Sequence, residues 1–152
     1  MRKCMLVVCA GLLIVCACWS QEKKPYVLLP PSEARAANPL CSRSGPGKVE
    51  GGWAPEANDV TTLEARLSDI SKLQSGGAVR TTISDPFRSY RQYVGIVLSG
   101  RRLIYVNGFP TPVLKDWQTR LVNVCDGGPA FWGVVFDPVA GTFSDLKTNG
   151  VG

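Results

Sequence analysis

The chain has 152 residues, with 17 Lys and Arg against 12 Asp and Glu, a formal charge of +5 and no histidine. Without histidine there is no Ser-His-Asp or Cys-His catalysis, no His-ligated zinc and no histidine pH switch; paired carboxylates and a Ser-Lys arrangement stay formally open. The mild basic excess fits generic attraction to anionic lipid or envelope polysaccharide, and nothing in the chain looks like a nucleic-acid module.

Residues 1–20 read as an export signal. Arg2 and Lys3 precede an uncharged, mostly apolar run of 13 residues from Met5 to Ala17. That length suits a signal peptide and is too short to cross a hydrocarbon core of roughly 30 Å as a helix. Val15-Cys16-Ala17-Cys18 matches a bacterial lipobox, with Cys18 as the lipidated residue, although Cys16 is unusual at the second position. Ordinary cleavage near Ala17 or Ser20 and an uncleaved anchor are the alternatives. Acyl chains on Cys18 would contribute about 0.8 kcal/mol per buried methylene, and more than one chain anchors stably. Loss of residues 1–17 leaves 135 residues and a charge of +3, enough for one domain with its own core. The expected location is outside the cytoplasm, periplasmic or outer-membrane-associated in a Gram-negative cell, with the membrane reached through the lipid.

Four of the six cysteines belong to the leader or its end, which leaves Cys41 and Cys125 in the body. Two lone cysteines in an oxidising compartment are expected to pair, closing a loop of about 85 residues. The alternative is a reactive thiol at Cys125, which has no histidine to activate it.

Residues 18–52 read as a tether and irregular arm. A charged stretch at 21–24 leads into Tyr26-Val27-Leu28-Leu29, a short edge strand stopped by Pro30-Pro31; residues 32–52 are rich in Pro, Gly, Ser and Ala and lack a period. The compact domain is expected over 53–152. Val60, Leu63, Leu67, Ile70 and Leu73 form one apolar helical stripe, with Thr61-x-x-Glu64 as a capping box or Asp59 as the cap and Gly76-Gly77 as the stop.

Sheet patterns follow. Residues 79–83 alternate, and Asp85-Pro86 ends them. Residues 90–98 place Tyr90, Gln92, Val94, Ile96 and Leu98 on one face, and Arg91, Tyr93, Gly95 and Val97 on the other. Ser99-Gly100 turns the chain into a returning strand, 101–109, giving a strong hairpin signal. Further strands are expected over 117–125, 131–136 and 143–148, the last two joined by an Asp137-Pro138-Val139-Ala140-Gly141 turn. One amphipathic helix packed on an antiparallel sheet of about five strands makes an α+β fold.

Binding candidates are of three kinds. Asp126, Gly127 and Gly128 form a loop whose glycines can aim amides at an anion and whose Asp can hold the loop or a cation; the plainer reading is a strand connection that Asp126 caps. Arg91, Arg101 and Arg102 lie among aromatic residues and suit sugar, phosphate or an acidic patch, or else they are edge charges that discourage aggregation. Trp132, beside the glycine loop, is the first choice for an exposed aromatic platform, against core packing. No spacing picks out a catalytic carboxylate pair, no Asp ladder marks a calcium site, and no cofactor or metal is implied.

The segments Tyr90-Arg91-Gln92-Tyr93-Val94-Gly95-Ile96, Leu103-Ile104-Tyr105-Val106-Asn107-Gly108-Phe109, Val124-Cys125-Asp126-Gly127-Gly128 and Phe131-Trp132-Gly133-Val134, with Asp137-Pro138 and Asn149-Gly150, carry a resemblance over roughly residues 53–152. The chain resembles small exported proteobacterial proteins and lipoproteins of uncharacterised function. That resemblance implies an envelope setting and transfers no site residue. The leading expectation is a non-enzymatic, lipid-anchored envelope protein that binds a protein or cell-wall polymer. The alternatives are an exported hydrolase using Asp126 with a second carboxylate, or an inhibitor presenting residues 126–130.

Overall fold

A computed structural model describes residues 25–76 and 80–151. The export leader, Cys18, the charged stretch at 21–24, Gly77 and Val79 lie outside the described residues. Within them the fold is α+β. The strands are β1 (Tyr26–Leu28), β2 (Gly51–Trp53), β3 (Tyr90–Leu98), β4 (Arg101–Phe109), β5 (Trp132–Asp137) and β6 (Thr142–Thr148), and the helix is α1 (Ala57–Arg66). The sheet runs β1-β3-β4-β5-β6, with β2 also on β3. It therefore has six strands rather than five, and it is mixed, because β1 runs parallel to β3.

The β3–β4 hairpin is paired along its whole length, from Tyr90 opposite Phe109 to Leu98 opposite Arg101. Ser99 and Gly100 both take positive φ, 48° and 71°. A two-residue loop of that hand matches the right-handed twist of the flanking strands. At the next turn, the Asp137 carboxylate accepts from the amides of Val139 and Ala140, and Gly141 turns the chain at φ 65°.

The apolar stripe of the helix is where the spacing puts it, but the helix is shorter and its cap is different. After Arg66 the chain tightens into a 3-10 segment, Leu67–Lys72, which keeps Leu67 and Ile70 buried. Glu56 is the N-cap; its amide donates to Asp59 Oδ2 at 2.8 Å. Thr61 lies inside the helix, its hydroxyl bonded back to the Ala57 carbonyl. An acceptor in the first turn satisfies amides that helix geometry leaves open, and here the carboxylates of Glu56 and Asp59 fill that role one turn earlier than Thr61-Glu64.

Both faces of the sheet are covered. Val60, Leu63, Leu67 and Ile70 pack with Tyr93, Ile104, Val106, Trp132, Val134 and Phe136 on one face. On the other, Leu29, Ala34 and Ala37 join Val94, Ile96, Leu103, Tyr105, Leu121 and Val135. The short edge strand expected at Tyr26–Leu29 is β1, and the arm beyond it, expected to be irregular, is a packed layer with a 3-10 segment, Pro31–Ala37, and strand β2. Its apolar residues are too sparse to show a period, yet small Ala34 and Ala37 fit against a sheet face that would otherwise be wet.

Two expected strands are absent. Residues 80–83 have no strand pairing, and 117–125 form turns and irregular chain. In the second case side chains replace the ladder. Gln92 and Asn107 sit opposite each other on β3 and β4. Gln92 Nε2 donates to the carbonyls of Trp117 and, at 2.7 Å, Arg120; its Oε1 accepts from Val122 N at 2.8 Å. Asn107 Nδ2 bonds the Val122 carbonyl, and Asn149 Nδ2 those of Val124 and Asp126. Much of the segment's backbone hydrogen bonding is thus supplied by side chains rather than by a neighbouring strand.

Candidate functional site

Cys41 and Cys125 are disulfide-bonded, Cα to Cα 5.0 Å, across 84 residues of sequence. The bond clamps the N-terminal layer to the 117–125 segment, and Cys41 N also donates to Asn123 Oδ1 at 3.0 Å. Just past this clamp the chain places Ser42, Arg43 and Ser44 on the wall of a pocket of about 480 Å³. Gly76, Thr81 and Pro129 supply other parts of the lining, and 147–151, from the end of β6 onward, closes it. Segments more than a hundred residues apart therefore meet there.

Arg43 dominates this pocket. Its Nε and Nη2 donate to Tyr105 Oη at 3.2 Å each, Nη2 also donates to Asn107 Oδ1, and Nη1 donates to Asn149 Oδ1. Every acceptor is neutral, and none of the ion pairs among the described residues includes Arg43. A half-buried guanidinium normally finds a carboxylate. The second cation, Lys147, bonds Asp145 Oδ1 at 2.9 Å. Ser42 accepts from the Gly150 amide at 3.0 Å, which fixes the rim.

The residues singled out by sequence do not assemble into one site. Arg91 is 1% exposed and is not a surface contact. It donates to the carbonyls of Pro86 and Ser89 and to Tyr93 Oη, and it lies 3.6 Å from Glu64 Oε1; Tyr93 in turn hydrogen-bonds Glu64. This cluster holds the helix to the sheet. Trp132 is likewise 1% exposed, so the expected aromatic platform is core. Arg101 and Arg102 are exposed at the hairpin tip, Arg101 paired with Asp137 and Arg102 lying 5.7 Å over the Trp53 ring. Asp126, Gly127 and Gly128 take successive positive φ values of 65°, 82° and 63°. Gly128 is buried with its amide on the Gly150 carbonyl, so this loop abuts the pocket through Pro129. Sequence reading missed Arg43 and Lys147. Arg43 sits in an aperiodic stretch, and only Asn149-Gly150 carried any local signal.

Burial raises the phenol pKa of both Tyr93 and Tyr105; Arg91 and Arg43 respectively oppose the rise, and the Glu64 charge adds to it for Tyr93. A raised folded value means stability that is complete below the unfolded tyrosine value, about 10, and is lost as pH climbs above it. In a Tyr26→Phe, Tyr90→Phe background, tyrosinate absorbance should therefore appear together with loss of near-ultraviolet circular dichroism. Reversible ionisation near the ordinary value in folded protein would contradict the burial account.

Among the described residues no three His, Cys, Asp or Glu side chains gather as a metal site, and no helix is long and apolar enough to cross a membrane. No family model, curated protein or solved structure matches the chain.

Proposed function

We propose that this chain is a non-enzymatic binding protein of the cell envelope, exported, tethered by lipid on Cys18, and occupied with a protein or cell-wall polymer partner. The observation that carries the binding reading is Arg43, a half-buried cation on a pocket wall with only neutral side-chain partners. The disulfide agrees with an oxidising location. Among the carboxylates open to a hydrolase, Asp137 holds a turn and pairs with Arg101, Asp69 pairs with Lys72 and Glu64 bonds Tyr93, while Asp126 lies exposed on its loop. For the inhibitor reading, Gly128 is buried with its amide on the Gly150 carbonyl, which ties the middle of the 126–130 loop to the body, while its flanking residues stay exposed.

Export and anchoring are tested by Cys18→Ser with membrane fractionation. The wild type should sediment with membranes and the variant should be released; an unchanged membrane fraction argues against acylation. Capture of partners from envelope extract on immobilised protein tests binding. A partner that is retained by wild type and lost on Arg43→Gln supports this reading; one retained equally by both removes the pocket from it.

A further inference from the structure

The charge count at the pocket narrows what can enter it. Arg43 contributes +1, Lys147 contributes +1, and Asp145, bonded to Lys147, contributes −1. Taken together, these three groups carry a net charge of one positive, which one negative charge neutralises. The donors are arranged for oxygen. Four of the five Arg43 N–H groups are held by Tyr105, Asn107 and Asn149, which leaves one on Nη1 and fixes the guanidinium plane. The hydroxyl-bearing residues Ser44, Thr81 and Thr148 stand on the same lining. Pro129 and Val151 offer apolar surface beside them. The volume, about 480 Å³, accepts a small molecule or one end of a larger one.

We infer that the Arg43–Lys147 pocket is a recognition site for a carboxylate monoanion carried on a short, otherwise uncharged body. A free inorganic phosphate is the poorer fit, because a large share of it is a dianion at neutral pH, with a second negative charge that this site leaves unmatched. This inference rests on the binding reading and names its ligand chemistry. It is independent of export, so it can fail while export holds, and the reverse. A carboxylate of this size has two obvious carriers, a peptide end and an acidic sugar. From either carrier, a carboxylate oxygen can take a single charge-assisted hydrogen bond from the remaining Nη1–H.

The test is titration of the purified, oxidised protein, followed by two-dimensional amide NMR, with N-acetyl-alanyl-alanine, its C-terminal amide, glucuronate, glucose and inorganic phosphate. At least one acid should bind saturably, with its neutral counterpart at least about tenfold weaker. Whichever acid binds identifies the carrier. Arg43→Gln should weaken binding by about tenfold or more. Because Arg43 also braces Tyr105 and Asn149, Lys147→Gln supplies a second variant, expected to weaken binding by about threefold. Asp145→Asn carries the sharpest expectation. Asp145 takes φ 55°, a conformation Asn tolerates, so the backbone survives the change. Removing its charge should tighten carboxylate binding by about threefold, which a merely structural role would not do. The inference is overturned if neither acid saturates by about 10 mM, if acid and neutral analogue bind alike, if phosphate binds more tightly than both acids, or if Asp145→Asn leaves affinity unchanged or weaker.

Discussion

Removing the Cys41–Cys125 bond should lower the unfolding free energy by about 4–5 kcal/mol, the chain-entropy value for a loop of this size. The bond spans 84 residues, and it joins two segments that lack strand pairing where they meet. Around it, Cys41 N is held by Asn123, and the Leu121 amide donates to Glu33 Oε2 at 2.8 Å. These contacts are few, so the bond limits how far the N-terminal layer can leave the sheet. Urea unfolding of the oxidised protein against the Cys41→Ser, Cys125→Ser variant measures the cost. Amide exchange should show the layer over residues 31–50 opening first, ahead of the β3–β4 hairpin. A cost below about 1 kcal/mol, or uniform loss of protection, would mean that packing alone seats this layer.

Trp132→Ala should destabilise the protein by about 3–5 kcal/mol, in the range for a large aromatic removed from a core. Trp132 opens β5 opposite Gly108, and its ring lies where a side chain at Gly108 would stand: a Cβ built there comes within 2.1 Å of it. Its Nε1 donates to Ser89 Oγ at 3.0 Å, so the indole also ties β5 to the start of β3. Trp132→Phe keeps most of the apolar contact and loses the hydrogen bond, and should cost about 1–2 kcal/mol. Chemical denaturation of the three proteins gives the ranking. A small effect of Trp132→Ala on stability, with loss of partner binding instead, would restore the exposed platform that the tryptophan's place beside a glycine loop suggests.

The same tryptophan shows where sequence reading stops. Glycine next to an aromatic residue signals either an exposed loop or close packing across a strand. Only the cross-strand register with Gly108 decides between them. Arg91 is similar. It lies among Phe87, Tyr90 and Tyr93 and reads as a surface cation, yet carbonyls of the 86–89 turn, Tyr93 and Glu64 surround it. None of those partners is visible as a pattern in the sequence.

The hairpin, the helical stripe, the turn at 137–141 and the cysteine pair were legible from the chain alone. Their causes are local, or nearly so: side-chain period, turn chemistry and an even thiol count. The third layer, the loop in place of a strand at 117–125, and the pocket were decided by tertiary structure. Gln92, Asn107 and Asn149 satisfy backbone groups far along the chain, and Arg43 meets Tyr105 across 62 residues and Asn149 across 106. Long-range hydrogen bonds leave no period behind them, because any polar residue at those positions reads as solvated until the fold brings its partner to it.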